Sequence, residues 1–268
     1  MKILITGGHG FIGRFLGQYL SHSHDVHAPG RDQLDVCDPG AVDRVLSNGY
    51  DWIIHCAVSG RHQTLSTDPV IVSNNIRALN NILSKRDQWG SLINVASGAE
   101  FDLDTDIDCA KEPDIWIKNP QHSYGLSKNL TARIVQALPN CINLRLFGCF
   151  DPSESDPRPI KRCQGLVSQG LPFLIEDRPF DTVSVGDFAR VVSAVLDGKI
   201  RDNDLNVVYN KKYTLGETLK IYCRSHNYDP DLVRISDKPG RSYTGDGSRL
   251  HAHALPLQGL EQSLSEYL

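Results

Sequence analysis

No stretch of this sequence is apolar for anything like the roughly 20 residues that cross a bilayer, so no membrane span is expected. Positive charge is not in surplus either. The 28 lysines and arginines stand against 32 acids and leave a net charge of −4, which gives no electrostatic footprint for nucleic acid. The seven cysteines include no C-x-x-C pair. An odd number without paired spacing argues for reduced thiols in a cytoplasmic protein, and against a disulfide framework or a zinc site. No leader precedes the first apolar run, Lys2 to Thr6, so a signal peptide is not expected. His22, His24 and His27 lie close together but lack the remaining ligands of a metal site, and they read as surface residues. Asp102, Asp104, Asp106, Asp108 and Asp114 lack the glycine and terminal glutamate of a calcium loop. Phe101 to Pro120 therefore reads as a solvated polar loop, and no metal is expected.

What is present is organised around two stretches. The chain opens with a short apolar strand, Lys2 to Thr6, then Gly7, Gly10 and Gly13, then an amphipathic run through Phe15, Leu16, Tyr19 and Leu20. Strand, glycine-rich turn and helix form a dinucleotide-binding start. The turn lets the backbone approach a pyrophosphate, and the helix N-terminus offers unpaired N–H groups to the anion. The second stretch, Asn119 to Lys128, places Tyr124 and Lys128 four residues apart at the start of a helical pattern. On a helix they share one face. The ammonium stabilises phenolate, so the tyrosine can exchange a proton with a carbonyl or alcohol oxygen near neutral pH.

Together these motifs, T-G-G-x-G-F-I-G from Thr6 to Gly13 and Y-x-x-x-K at Tyr124 and Lys128, resemble the extended short-chain dehydrogenase/reductase family. That family includes nucleotide-sugar epimerases, dehydratases and reductases. The likeness runs along nearly the whole chain. It implies an α/β fold: a doubly wound parallel Rossmann sheet with a smaller C-terminal α/β substrate lobe. The expected division is residues 1–150 for the cofactor and 151–268 for the substrate, interleaved through return segments near 180–198. The chain's length suits one large α/β domain of this kind.

The resemblance also implies site residues. Gly7, Gly10, Phe11, Ile12 and Gly13 would cradle the cofactor, Asp35 and Val36 would border its adenine, and Ala57 and Val58 would give its phosphates and ribose room. Asn75 would lie beside the cofactor, and Lys128 would also hold the nicotinamide ribose. His55 reads as a packed strand-end residue. Ser97, after the strand Ser91 to Ala96, is the matching third catalytic residue, whose hydroxyl can polarise a substrate carbonyl. Arg178 and Arg241, with Lys238 and Arg249, are the cations expected against a substrate diphosphate. Asp187 reads as an N-cap. The family's Asn and Gly in its R-x-F-N-V-Y-G-P turn are here Gly148 and Asp151, so contacts there should differ. The helices around Asn75 and Tyr124 imply a homodimer.

Two features select the chemistry. Where NAD-binding members carry an acid after the second strand, this chain has Gly30 and Arg31. An arginine can pair with a 2′-phosphate, so NADP(H) is preferred over NAD(H). After Ser97 come Gly98 and Ala99. The 4,6-dehydratases have an Asp-Glu pair there, and the GDP-fucose-forming epimerase–reductases a cysteine two residues on and a later histidine. No histidine lies between His122 and His226. Hydride transfer alone survives. The expected function is an NADPH-dependent reductase of a nucleotide-activated 4-keto-6-deoxy sugar. An NAD-dependent C4 epimerase and a non-catalytic NADP-binding protein are the alternatives.

Overall fold

The computed structural model describes residues 1–60, 66–154 and 158–267. The chain runs β1 (Lys2–Thr6), α1 (Phe11–Leu20), β2 (Asp25–His27), α2 (Pro39–Leu46), β3 (Tyr50–His55), α3 (Pro69–Leu83) and β4 (Trp89–Ser97). It continues with β5 (Ile107–Ala110), α4 (Ser123–Gln136), β6 (Cys141–Leu146), β7 (Cys149–Phe150), α5 (Pro159–Val167), β8 (Phe173–Ile175), β9 (Val183–Ser184) and α6 (Val185–Leu196). Last come β10 (Asp204–Val207), α7 (Leu215–Ser225), β11 (Val233–Ile235), β12 (Tyr243–Gly245), α8 (Ser248–Ala252) and α9 (Leu260–Ser265). The amphipathic run from Leu260 reads as a short closing helix to Leu268, a residue outside the described ones.

Local sequence explains many of these boundaries. Asp38 caps α2 by accepting from the Gly40 N–H at 2.9 Å, and Asp68 caps α3 by accepting from the Val70 N–H at 2.9 Å. In both helices the next residue is proline, whose fixed φ suits the first helical position and whose missing N–H is not needed there. Thr214 and Glu217 form a reciprocal capping box on α7.

Six strands form the central sheet in the order β10-β6-β4-β3-β1-β2. β1 pairs in parallel with β2 and β3, and β3 with β4. The chain goes from β1 outward to β2, then crosses back to place β3 on the other side of β1. The order of strands therefore reverses at β1/β3, and in such sheets the crevice beyond the strands' C-terminal ends at that point is where ligands bind. The strands read as continuous apolar runs because both faces are covered. Ile3, Ile5, Ile53, Ile54, Leu92 and Ile93 are all fully buried, each stabilising the fold by about 1.5–3 kcal/mol relative to exposure. One side packs against α2 and α3 through Val42, Leu46, Leu79 and Ile82.

Two compact units interleave along the chain. The first comprises Met1–Asp104, Lys111–Arg145 and Arg201–Leu205; the second comprises Thr105–Ala110, Leu146–Ile200 and Asn206–Leu268. Residues 180–198 lie wholly in the second unit, and after Leu146 the segment that returns to the first is Arg201–Leu205. The second unit holds three two-stranded parallel pairs, β5 with β12, β8 with β11 and β7 with β9. Its core includes the fully buried Phe188, Val191, Val192, Leu219 and Leu264.

Two expectations are corrected. Phe101 to Pro120 is not a plain solvated loop: it contains β5 and a 3₁₀ turn over Glu112–Trp116. Its Asp102 is fully buried and ion-paired with Lys118, because a carboxylate without water needs a charged partner. Asp187 is not the cap of α6. Ser184 takes that place, accepting from the Asp187 N–H at 3.1 Å. The Asp187 carboxylate instead gathers the Tyr209 hydroxyl at 2.7 Å, Arg190 at 2.8 Å and the Gln258 and Gly259 N–H groups. His22 and His27 are exposed, as surface residues should be, and His27 Nδ1 lies 2.7 Å from the Tyr50 hydroxyl. All seven cysteines are free. Among the described residues no helix is long and apolar enough to cross a membrane.

Candidate active site

The site is built at the C-terminal edge of the sheet in the first unit. Gly7 leaves β1 with φ +69°, a conformation L side chains rarely adopt, and a Cβ there would lie 2.9 Å from Ala57. A Cβ on Gly13 would lie 2.3 Å from the Gly7 carbonyl oxygen. The turn thus closes directly against the exit of β3. Gly10 caps α1 without a side chain, and a helix N-terminus of this kind suits an anion. Phe11 and Ile12 are half-buried within that first turn. These features fit a dinucleotide pyrophosphate.

Beyond β2, a Cβ on Gly30 would meet His9 Nδ1 at 2.2 Å and Asp32 Oδ1 at 2.5 Å, so an acidic side chain at that position would have to displace both side chains. Arg31 is largely exposed and bonds Asp35 Oδ2 through Nε at 3.2 Å and Nη2 at 3.1 Å. The other Asp35 oxygen accepts from the Cys37 N–H at 2.9 Å. That bond, with Arg31 beside it, holds the carboxyl below the usual aspartate range. Val36 is buried in the hydrophobic core. Sequence reasoning did not single out His9.

After β3 the chain turns through Ala57 and Val58, and Asn75 of α3 pins this loop. Asn75 is buried rather than exposed on its helix. Its Oδ1 accepts from the Ser59 N–H at 2.7 Å, while its Nδ2 donates to the Ser59 carbonyl at 3.0 Å and to Ser127 Oγ at 2.8 Å. Ser127 Oγ in turn donates to the Tyr124 carbonyl at 2.7 Å. Asn75 therefore links the loop after β3 to α4, and this amide is occupied by protein groups. His55 is buried against Thr6 Oγ1 at 2.8 Å, and burial with Lys128 nearby pushes its pKa down to about 3, so it stays neutral.

Ser97 ends β4. α4 packs close against the turn that follows it, because a Cβ on Gly125 would lie 2.6 Å from the Ala99 carbonyl oxygen. Tyr124, beside that contact, is half-buried, and Ser97 and Lys128 are buried. Lys128 Nζ donates to the Val95 carbonyl at 2.7 Å. Burial pushes its pKa down, while the Glu100 and Cys56 charges pull it back up.

The sequence reading missed what lies beneath Ser97. Glu100, Arg145 and Asp204 are all fully buried. Arg145 Nε donates to Glu100 Oε2 at 2.7 Å, and Nη2 lies 3.1 Å from Asp204 Oδ1. Two signals were legible. Ser97 and Glu100 have capping-box spacing, and Arg145 stands in a largely apolar strand, where a cation requires an acid partner.

Arg178 and Arg241 lie in the second unit. Arg178 is half-buried with its guanidinium 5.3 Å from the Phe180 ring centroid, and Arg241 is exposed. Lys238 pairs with Glu176 at 2.9 Å, and Arg249 is exposed on α8.

Comparison with known proteins agrees with this architecture. GDP-L-fucose synthase from Azorhizobium caulinodans is 30% identical over 269 residues, spanning 89% of this chain and 85% of that protein. dTDP-4-dehydrorhamnose reductase from Mycolicibacterium smegmatis is 23% identical, spanning 99% and 84%. The structure of dTDP-4-dehydrorhamnose reductase from Bacillus anthracis in complex with NADP superposes with a TM-score of 0.83 at 16% identity, covering 99% of this chain and 96% of that one. Enzymes solved with NAD share the fold as well. A family model matches residues 3–210, and the chain belongs to the NAD dependent epimerase/dehydratase family.

Proposed function

We propose that this protein is an NADPH-dependent reductase of a nucleotide-activated 4-keto-6-deoxy sugar. The observation that carries the reading is the equipment at the sheet's C-terminal edge. Ser97, Tyr124 and Lys128, read as the catalytic set, and the glycine turn, read as a dinucleotide cradle, support it, with no carboxylate pair directly after Ser97 for elimination. Gly98 and Ala99 occupy those places, and the next acid, Glu100, is tied to the Ser97 N–H and to Arg145. The similarity to GDP-L-fucose synthase and dTDP-4-dehydrorhamnose reductase supports the substrate class.

The reduced nicotinamide, when bound, supplies the hydride. Ser97 donates its hydroxyl hydrogen to the keto oxygen and polarises the carbonyl. Tyr124 delivers the proton to that oxygen as the carbinol forms, and the Lys128 ammonium stabilises the phenolate left behind. Lys128 also binds the nicotinamide ribose. Arg31 selects the 2′-phosphate: its pair with Asp35 is exposed, and such pairs exchange partners at little cost. Arg178 and Arg241 are the cations assigned to the diphosphate. A groove on α3 and α4, lined by Pro69, Val72, Ile76 and Leu126, is the face assigned to a second copy of the chain.

The test is NADPH oxidation, followed by loss of absorbance, over CDP-, GDP- and dTDP-4-keto-6-deoxy sugars. Turnover with one of them, reduced about 10²–10⁴-fold in Tyr124→Phe, is expected. No oxidation with any of them, and NAD retained by the purified protein, would replace this reading with a C4 epimerase.

A further inference from the structure

Ser97 opens a 3₁₀ turn, and the turn's own side chains hold it. The Ser97 N–H donates to Glu100 Oε1 at 2.8 Å, while Ser97 Oγ accepts from the Ala99 N–H at 3.3 Å. A hydroxyl that accepts one bond keeps its own hydrogen to donate, so the turn presents Ser97 as an O–H donor. The second Glu100 oxygen takes Arg145 Nε at 2.7 Å, and Arg145 reaches Asp204 at 3.1 Å. Asn129, the residue after Lys128, donates through Nδ2 to the Glu100 and Ile115 carbonyls, each at 2.9 Å. Every side chain in this set except Ser97 is fully buried.

An ion pair this deep adds little stability over well-packed apolar residues, because desolvation offsets the attraction. Stability alone therefore gives no reason for charges here. Placement does. The pair anchors the carboxylate that accepts from the Ser97 N–H.

We propose that Glu100, anchored by Arg145, is a positioning residue for Ser97. Its carboxylate sets the Ser97 backbone and hence the direction in which the hydroxyl is offered to the reacting carbonyl. This rests on the reading of Ser97 as the carbonyl-polarising group.

Two double variants isolate the effect. Glu100→Met/Arg145→Met removes both charges and the acceptor. Glu100→Gln/Arg145→Met removes the same charges but keeps an oxygen for the Ser97 N–H. Asp204 tolerates the loss of Arg145 by holding a proton, since burial pushes its carboxyl up to about 7. The Met pair should lose at least about 30-fold in kcat and the Gln pair less than about fivefold, with KM and the NADPH Kd within about threefold in both. In a Ser97→Ala background the two pairs should have equal kcat. A Met pair that keeps its kcat, or a difference that persists without the Ser97 hydroxyl, would overturn the proposal.

Hydrogen exchange at the Ser97 amide needs no substrate. It should be at least about tenfold faster in the Met pair than in the Gln pair, and equal rates would overturn the proposal whatever the activity. A wild-type protein that turns over none of the sugars would defeat the functional reading, while exchange still decides whether Glu100 holds Ser97. Should the Met pair not fold, Glu100→Asp serves instead. It keeps the charge for Arg145, falls a methylene short of the Ser97 N–H, and should show the same fast exchange.

Discussion

Lys128 Nζ donates to the carbonyl of Val95 across 2.7 Å, tying α4 to the strand that ends at Ser97. One ammonium hydrogen is therefore structural, and the remaining two are left for the proposed role. Replacing Lys128 by Met removes both uses. Turnover should fall about 10²-fold or more, and the orphaned Val95 carbonyl should lower stability by about 1–3 kcal/mol. Kinetics and chemical denaturation on the same variant check both. Turnover within about threefold of wild type would remove Lys128 from the mechanism.

Gly125 stands where α4 meets the turn after Ser97. A methyl group there would sit 2.6 Å from the backbone oxygen of Ala99, and neither partner is a flexible side-chain end. Gly125→Ala should therefore cost about 2–3 kcal/mol despite alanine's better helix propensity. It should also lower kcat, because the helix that carries Tyr124 must move. A Tm equal to or above that of the wild type would show that the contact relaxes freely.

Arg31 is the residue proposed to select the cofactor. Arg31→Ala should raise the Kd for NADPH about tenfold and leave that for NADH within about twofold, as titration of intrinsic fluorescence would report. Equal weakening of both would instead place Arg31 against a group the two cofactors share.

Glu154 carries a pH signature. It is buried, with the Tyr267 hydroxyl donating to Oε1 at 3.0 Å. Burial pushes its carboxyl up to about 7 from an ordinary 4.5, against that bond and the nearby Arg158 and Lys161. Between those values the folded protein holds a proton that the unfolded chain has released. Its contribution to stability is full below 4.5 and lost as the pH rises through about 7. Relative to Glu154→Gln, the wild type should lose about 1–2 kcal/mol over that window, the full linkage being discounted for solvent screening. Equilibrium unfolding at several pH values measures it, and a difference that stays constant with pH would contradict the assignment.

Legibility followed sequence distance. β1, the glycine turn and α1 are contiguous, so periodicity and glycine placement sufficed to read them. The caps Asp38 and Asp68 act two residues away. Glu100 and Arg145 are 45 residues apart, and Arg145 and Asp204 are 59 apart. Nothing local to Glu100 announces an arginine from another strand. The same limit explains β5, a four-residue strand whose partner β12 begins at Tyr243; without that partner its alternating aspartates look like a loop. Asp187 was misread as a cap because its four bonded groups come from Tyr209, Arg190, Gln258 and Gly259, three of them distant in sequence.

The return of Arg201–Leu205 to the first unit bears on how the chain is made. A ribosome delivers residues in order, and most of the first unit has emerged once Arg145 is out. Yet its last piece, with Asp204, follows only after Leu146–Ile200 of the second unit has been synthesised. Until then Arg145 lacks the carboxylate of Asp204, and β6 lacks its neighbour β10. Domains generally fold as units as they appear. Here the nascent chain must keep an unfinished sheet edge waiting through that whole interval, so chaperone contact should be greatest there and should end as Leu205 clears the exit tunnel.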